Sequence, residues 1–580
     1  MQRFLGMFNT QKPRALQGIY DEPYLMIGRH VLCATGIAQG GGVAALAVGR
    51  LRNAGELQKK IRSSGIQIAS DGGISAILLG AYRLWGEGCI ERLEGPLACA
   101  VIDRDAGKLL LSCDRMGEVR LFYAASAGAV YFAGHPAPLL HAPGISRVVD
   151  RTGWCEVFGL GPARTPGRTP FRDIWQLEPG TVLTADTRGI HIRKYFTLEA
   201  RPHEDDHNQT ITRVRRLIEQ SIAEVAPLRP ASMLSGGVDS TLLTALIARH
   251  ADAPVHSFSV DYQDNSQFFP DDNAYQPEPD SPWVERAVRS IGTRHTRVEL
   301  PIQSLFWAIE PAMEARGLPG MADIDSSLLL FGREIASSGR HVLSGECGDE
   351  VFGGYPWFHR AELIDQDGFP WSGSLPLRQS ALRPPVRRAL DLAGYVSDRY
   401  HQAVEALPAL PGEGAREARL RQLQGLCFTY FMPNLQERAA CMLAAYGLTV
   451  LTPYSDDRLV QYVFNIPWQM KSLRGHEKGL MRAAMEGVIP DDLLWRKKSP
   501  YPKTYHPEYA QLAAAGLRAV LQNPASPILQ LADRDALMRL LASPLSPAPW
   551  YGQLMAGPQM LSYLLQVNQW MVRYRVEVGL

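Results

Sequence analysis

At 580 residues and 64.1 kDa the chain is too long for a single hydrophobic core, and it should divide into two or more domains. A hydrophobic fraction of 46% with 21% charged residues excludes a disordered or collagen-like chain. Lys and Arg total 60 against 59 Asp and Glu, so there is no basic excess with which to hold nucleic acid or an acidic membrane surface. The eight cysteines include no C-x-x-C pair. They predict buried free thiols in a reducing compartment, not a zinc site or a disulfide framework. Met1 to Gly6 carries a charge with no apolar run behind it and does not read as a signal peptide. No window approaches the roughly 20 apolar residues of a membrane span. A cytoplasmic protein without membrane or nucleic-acid partners is expected.

The first 195 residues read as β-rich. Residues 98–103 and 109–113 are short apolar runs around a polar turn, a hairpin pattern, and residues 129–133 and 180–184 are further strands. The polar, Pro-interrupted stretch 201–208 marks a domain boundary. Beyond it Ile211, Val214, Leu217, Ile218, Ile222 and Val225 recur at helical spacing. Then come a strand at 231–234, a glycine turn, a helix from about 240 to 250, strands at 255–260 and 296–300 with a helix at 282–291 between them, and a strand at 341–344. Strands alternating with helices predict a parallel sheet covered on both faces. The last 180 residues are mostly helical with Pro-rich breaks.

Ser235-Gly236-Gly237-Val238-Asp239-Ser240 sits between the strand ending at Leu234 and the following helix. Two glycines permit a tight turn and close approach of backbone to ligand. The N–H groups and dipole of the helix start favour an anion. Ser235 and Ser240 add hydroxyls, and a carboxylate at an anion site, Asp239, makes sense if it holds a magnesium ion bridging phosphates. An isolated Ser-Gly-Gly is usually no more than a capped helix start; the longer match in a strand–turn–helix setting points to phosphate. No Walker pattern is present, and the loop is similar to that of enzymes that cleave ATP between the α- and β-phosphates. The second signal is Ser344-Gly345-Glu346-Cys347-Gly348-Asp349-Glu350, just past a strand end, where open α/β sheets bind ligands. One acid there can coordinate magnesium while another takes a proton from an attacking amine.

In this order and about a hundred residues apart, the two motifs resemble those of class B asparagine synthetases. The stretches 158–167, 318–327, 496–504 and 550–559 look like a bacterial subgroup of that family. The resemblance implies an α/β protein of two domains. Residues 1–200 would be a β-rich glutamine amidotransferase type 2-like domain, an αββα sandwich of the N-terminal-nucleophile hydrolase kind. Residues 207–580 would be a PP-loop ATP pyrophosphatase domain with a parallel sheet and a helical C-terminal part. It further implies that Ser235, Gly236, Gly237, Asp239 and Ser240 bind the pyrophosphate of ATP, with Ser344 beside them. Leu234, Val260 and Gly345 would line the adenine and ribose site. Glu346 would be the acid–base residue, Asp239 and Asp349 ligands of Mg2+, and Lys478 the holder of the departing phosphates.

The departures matter as much. The family carries a nucleophilic cysteine after Met1, and hydrolysis of glutamine needs its thiolate; this chain has Gln2. The family's Asn-Gly-Glu is replaced by Val48-Gly49-Arg50, its strand Arg by Val31, and of that pocket only Asp71 persists. The expectation is therefore a retained fold with a lost glutaminase site, and free ammonia as the nitrogen donor for aspartate. Thr449, Leu451 and Ala440 replace a Glu, an Arg and an Asp of the synthetase domain, which puts the acid and amine substrates in question. Two alternatives stay open: a lasso-peptide cyclase or β-lactam synthetase-like ligase using an internal amine, and a catalytically silent homologue serving as a binding or partner subunit. Small-molecule substrates are expected, aspartate or another carboxylate with ammonia or another amine. A homodimer and a separate ammonia-supplying subunit are assemblies the family reading allows.

Overall fold

The computed structural model describes residues 5–9, 24–27, 30–33, 36–69, 72–269 and 278–580. Two six-stranded antiparallel sheets form the N-terminal part. One runs, in spatial order, Trp175–Gln176, Phe122–Ser126, Ala129–Ala133, Leu5–Asn9, His30–Cys33, Tyr24–Ile27. The other runs Gly189–Lys194, Thr181–Asp186, Lys108–Cys113, Leu97–Asp103, Val43–Gly49, Ala38–Gly40. Alternation along the strands sorts their side chains into two cores. Phe8, Val130 and Phe132 meet Leu46, Ile102 and Leu183 between the sheets, while Met7, Tyr131 and Ala133 face outward into the main core of the molecule. The second sheet carries helices Ala54–Ser63 and Gly73–Trp85 on its outer face, through Leu57, Ile61, Ile77 and Leu78. These helices form an outer layer of the kind an αββα sandwich implies, although the strand-by-strand reading does not place them; the second contains the apolar run at residues 77–82.

Helix His207–Val225 opens the rest of the chain. Asp206 and Gln209 cap it reciprocally, and Val214, Ile218 and Ile222, spaced by four, are fully buried. Truncating one of them to Ala would cost about 2–5 kcal/mol. Five parallel strands follow, ordered Arg294–Leu300, His256–Tyr262, Ala231–Met233, His341–Leu343, Thr449–Leu451. The first three strands in the chain run one way across the sheet and the last two the other. The order therefore reverses between Ala231–Met233 and His341–Leu343, and a crevice opens beyond their carboxyl ends. The two motifs leave these two strands. Thr449–Leu451 completes the sheet, and Leu451 O accepts from Ser344 N at 2.9 Å.

The two halves share the main core: Trp154 meets Trp570 edge-on at 6.1 Å between ring centroids. The strand Glu577–Gly579 pairs in parallel with Val148–Asp150, so the chain's last element returns to the N-terminal half. Cys89, Cys99, Cys113, Cys155, Cys347, Cys427 and Cys441 are free and buried. Among the described residues no helix is long and apolar enough to cross a membrane.

Candidate active site at the sheet crevice

The loop after Ala231–Met233 is held by its own hydroxyls. Ser235 Oγ lies 3.0 Å from Ser240 Oγ, and Gly237 N donates to Ser235 Oγ at 3.3 Å. Helix Val238–Ala248 begins with Gly237 as its N-cap and no side-chain cap, so its first N–H groups are available to an anion. Gly236 has φ +72°, and a Cβ there would stand 2.8 Å from Val284 N. It makes the turn against helix Ser281–Ile291 and is absent from the cavity wall. The second loop packs onto the first, backbone to backbone: a Cβ on Gly345 would stand 2.9 Å from Ser240 N.

These loops bound a cavity of about 710 Å³. Leu234, Ser235, Gly237, Asp239, Ser240, Val260, Ser344, Gly345, Glu346 and Asp349 all line it, so the crevice gathers nearly every residue the sequence singled out. Lys478 stands just behind the wall, 1% exposed. Its ammonium contacts the Asp239 carboxylate and lies 2.5 Å from Asp349 Oδ1, and Lys498 reaches Asp349 Oδ2 at 3.2 Å. Burial works against the charge of Lys478, yet the two carboxylates outweigh it and hold the ammonium above its usual range. Burial would raise Asp349 too, but Lys478 and Lys498 keep it below the ordinary value. Asp239 Oδ1 is buried with no hydrogen-bond partner. An orphaned carboxylate oxygen beside a phosphate loop suits a cation shared with phosphates. Among the described residues no three His, Cys, Asp or Glu side chains form a metal cage.

Glu346 is half-buried at the cavity wall, and desolvation there raises its carboxyl against the opposing pull of Arg438, whose Nη2 lies 3.7 Å from Oε1. Neighbouring Glu350 is pushed up to about 8, by burial first and by Asp349 and Glu346 in addition. Tyr355 donates to it at 2.8 Å. Sequence reasoning missed Arg438, Lys498, Glu350 and Tyr355 as site residues. Glu350 and Lys498 lie inside stretches already noticed, and Tyr355 follows the second motif by five residues. Arg438 is a lone arginine in helix Met432–Ala444 and has no local signature.

Gln2 and Asp71 lie outside the described residues, as does the side chain of Val31. Arg50 is described, at the seam between the halves. Burial lowers its hold on its proton, with Glu118 and Glu224 pulling the other way, and Arg50 Nε has no hydrogen-bond partner. Around it Arg52 pairs with Asp456 at 2.9 Å and Asp457 at 2.5 Å, Arg115 pairs with Asp457 at 2.6 Å, and Thr452 donates to Glu118 at 2.7 Å. Charged side chains thus pack the seam where the resemblance puts a glutamine-holding Glu.

An antiparallel double-sheet domain joined to a parallel-sheet domain, with a phosphate-type loop at the switch point, has the build of a carbon–nitrogen ligase that draws on a nucleotide. Comparison with known families agrees. The asparagine synthase model matches residues 213–572 and the glutamine amidotransferase domain model residues 38–196. The chain is 39% identical over 540 residues to asparagine synthetase [glutamine-hydrolyzing] 3 of Bacillus subtilis, covering 91% of this chain and 87% of that one. It is 23% identical to asparagine synthetase [glutamine-hydrolyzing] 1 of the same organism, covering 78% and 74%. To asparagine synthetase B [glutamine-hydrolyzing] of Escherichia coli it is 21% identical, covering 73% and 64%. The chain belongs to the asparagine synthetase family.

Proposed function

We propose that this enzyme makes asparagine from aspartate, ATP and free ammonia, and that its glutaminase-type domain no longer hydrolyses glutamine. The observation that carries the synthetase reading is the meeting of half-buried Asp239 and Asp349 on buried Lys478, one ion cluster at the phosphate-type loop. The loss of hydrolysis rests on Gln2, which has no thiol, and on Arg50, a cation among the ion pairs of the seam.

In this reading a carboxylate oxygen of aspartate attacks the α-phosphorus, the bond to the bridging oxygen breaks, and pyrophosphate leaves. The N–H groups at the start of helix Val238–Ala248 and the Lys478 ammonium receive the charge that builds on the departing phosphates. Asp239 and Asp349 would hold a magnesium ion, which when bound supplies further positive charge at those phosphates. Ammonia nitrogen then attacks the acyl carbon, the bond to AMP breaks, and Glu346 takes the proton. A glutamate whose hold on a proton is raised by desolvation is a better base for that transfer than an ordinary exposed one.

The test is pyrophosphate release and asparagine formation from aspartate and ATP with Mg2+, with ammonium or glutamine as donor. Product with ammonium alone is the expected result. Product from glutamine would overturn the loss of hydrolysis, and no product from either would overturn the choice of aspartate and ammonia.

A further inference from the structure

We propose that the glutaminase-type domain is a working part of the synthetase site: its Arg164 and Arg120 anchor a buried, alternating chain of charges that ends by positioning Glu346. The proposal rests on the reading of Glu346 as the proton acceptor in amide formation.

The chain can be followed contact by contact. Arg164 Nη2 lies 2.8 Å from Glu437 Oε2 and 3.0 Å from Oε1, and Arg120 Nη1 lies 3.5 Å from Oε1. Arg316 Nε donates to the same Glu437 Oε1 at 2.8 Å, and its Nη1 reaches Asp325 Oδ2 at 3.0 Å. The other Asp325 oxygen faces Arg438 Nε at 4.0 Å, and Arg438 Nη2 faces Glu346 at 3.7 Å. From Glu437 to Arg438 every side chain is at most 5% exposed. Four guanidiniums and three carboxylates make up the chain: Glu437 and Asp325 each lie between cations, and Glu346 ends it on Arg438.

The last link is the informative one. Arg438 Nε and Nη2 have no hydrogen-bond partner, and the guanidinium lies over the Tyr501 ring at 4.4 Å. Tyr501 supports it from one side, and along the chain its place is set by the balance between Asp325 behind it and Glu346 in front. Asp325 leaves Arg438 to Glu346 only because its second oxygen is occupied by Arg316 and by Met321 N. Arg316 is in turn shared with Glu437, and the two N-terminal arginines take up part of that carboxylate. Removing Arg164 lets Glu437 draw Arg316 away from Asp325, and Asp325 then competes for Arg438. The other charges around Glu346 are Asp349, Asp239 and Lys498, with Glu350 beside them, and none of these belongs to the chain.

A misplaced Glu346 leaves the adenylate formed but slow to meet its amine, so water takes it. In the productive step the C–N bond forms, the C–O bond to AMP breaks with the electron pair leaving on AMP, and the ammonia proton passes to Glu346. The readout is thus amide formed per pyrophosphate released, at saturating ammonium. Arg438→Met should lower this ratio by about 10-fold or more. Arg164→Met should lower it by about 2- to 30-fold from outside the cavity. Arg438→Lys and Arg164→Lys, which keep the charge, should recover much of each loss. A merely structural role would lower both products together and leave the ratio unmoved, and that result overturns the proposal, as would a ratio that falls equally in the Lys variants. Should Arg164→Met not fold, Arg120→Met carries the same test from the other anchor. Should the wild-type enzyme form no amide at all, the functional reading fails and the proposal with it; a normal wild-type ratio unchanged in the variants sinks the proposal alone.

Discussion

Replacing Glu437 with Gln keeps the shape and one acceptor oxygen but removes the negative charge that Arg164, Arg316 and Arg120 share. All three cations lie within 3.5 Å of the carboxylate, which is 5% exposed. At an effective dielectric of about 20, one such pair at 3 Å attracts by roughly 5 kcal/mol before desolvation is subtracted. Breaking a buried cluster by removing one partner typically costs about 3–5 kcal/mol, because the remaining charges stay buried. That is a large share of the roughly 5–15 kcal/mol by which domains are stable. The sign with pH is fixed by the same contacts. Burial would raise Glu437, but Arg164, Arg316 and Arg120 outweigh it and hold the carboxyl well below the ordinary range. Its contribution is therefore complete above about pH 4.5 and is lost as pH falls through the folded value. Urea unfolding followed by tryptophan fluorescence suits the measurement, since Trp154 and Trp570 meet across the two halves. Glu437→Gln should unfold at markedly lower urea at pH 7, with the deficit shrinking below pH 4. A deficit under about 1 kcal/mol at pH 7, in the range of an exposed pair, would refute the reasoning. So would one that stays constant into acid.

Gly236→Ala places a Cβ at φ +72°, 2.8 Å from Val284 N, at about 1–2 kcal/mol for the left-handed backbone alone. Initial rates against ATP should show KM raised about 10-fold or more, whereas Gly237→Ala, whose Cβ meets only Ser235 Oγ at 3.2 Å, should be milder; equal effects would sink the packing argument. Buried Asp323 is raised to about 6, by burial first, although Gln559 donates to it at 3.1 Å. A raised acid stabilises the fold below its unfolded pKa and loses that contribution as pH climbs through the folded one, here between about pH 4 and 6 and up to about 3 kcal/mol. Asp323→Asn should gain on the wild type across that window in denaturation midpoint and run parallel above pH 7; a difference that ignores pH would count against it.

Local signals carried the sequence reading a long way. The loop at 235–240 was legible because a strand, two glycines and a helix are neighbours in the chain, and the switch point then brought the 344–350 loop beside it. Lys478 needed the family resemblance, since a lysine before a helix shows nothing of the two aspartates it will meet. Arg316, Arg438 and Glu437 carry no signal at all: each reads as a solvated charge on a helix, and only tertiary packing buries them together. Helices Ala54–Ser63 and Gly73–Trp85 were passed over because the apolar run at 77–82 is too short to separate helix from strand by period. Thr449–Leu451 was noticed for its departures from the family, and its role as the fifth strand of the parallel sheet depends on neighbours far away in the chain.

The pairing of Glu577–Gly579 with Val148–Asp150 sets an order of events during synthesis. The ribosome delivers the double-sheet half first, but Val148–Asp150 must wait for nearly the whole remaining chain before its partner strand emerges. Until then the backbone N–H and C=O groups on that edge face water or a chaperone. So distant a contact is slow to close once it becomes available. The N-terminal half is therefore completed late, and a nascent chain stalled short of residue 577 exposes a pairing edge that the folded protein hides.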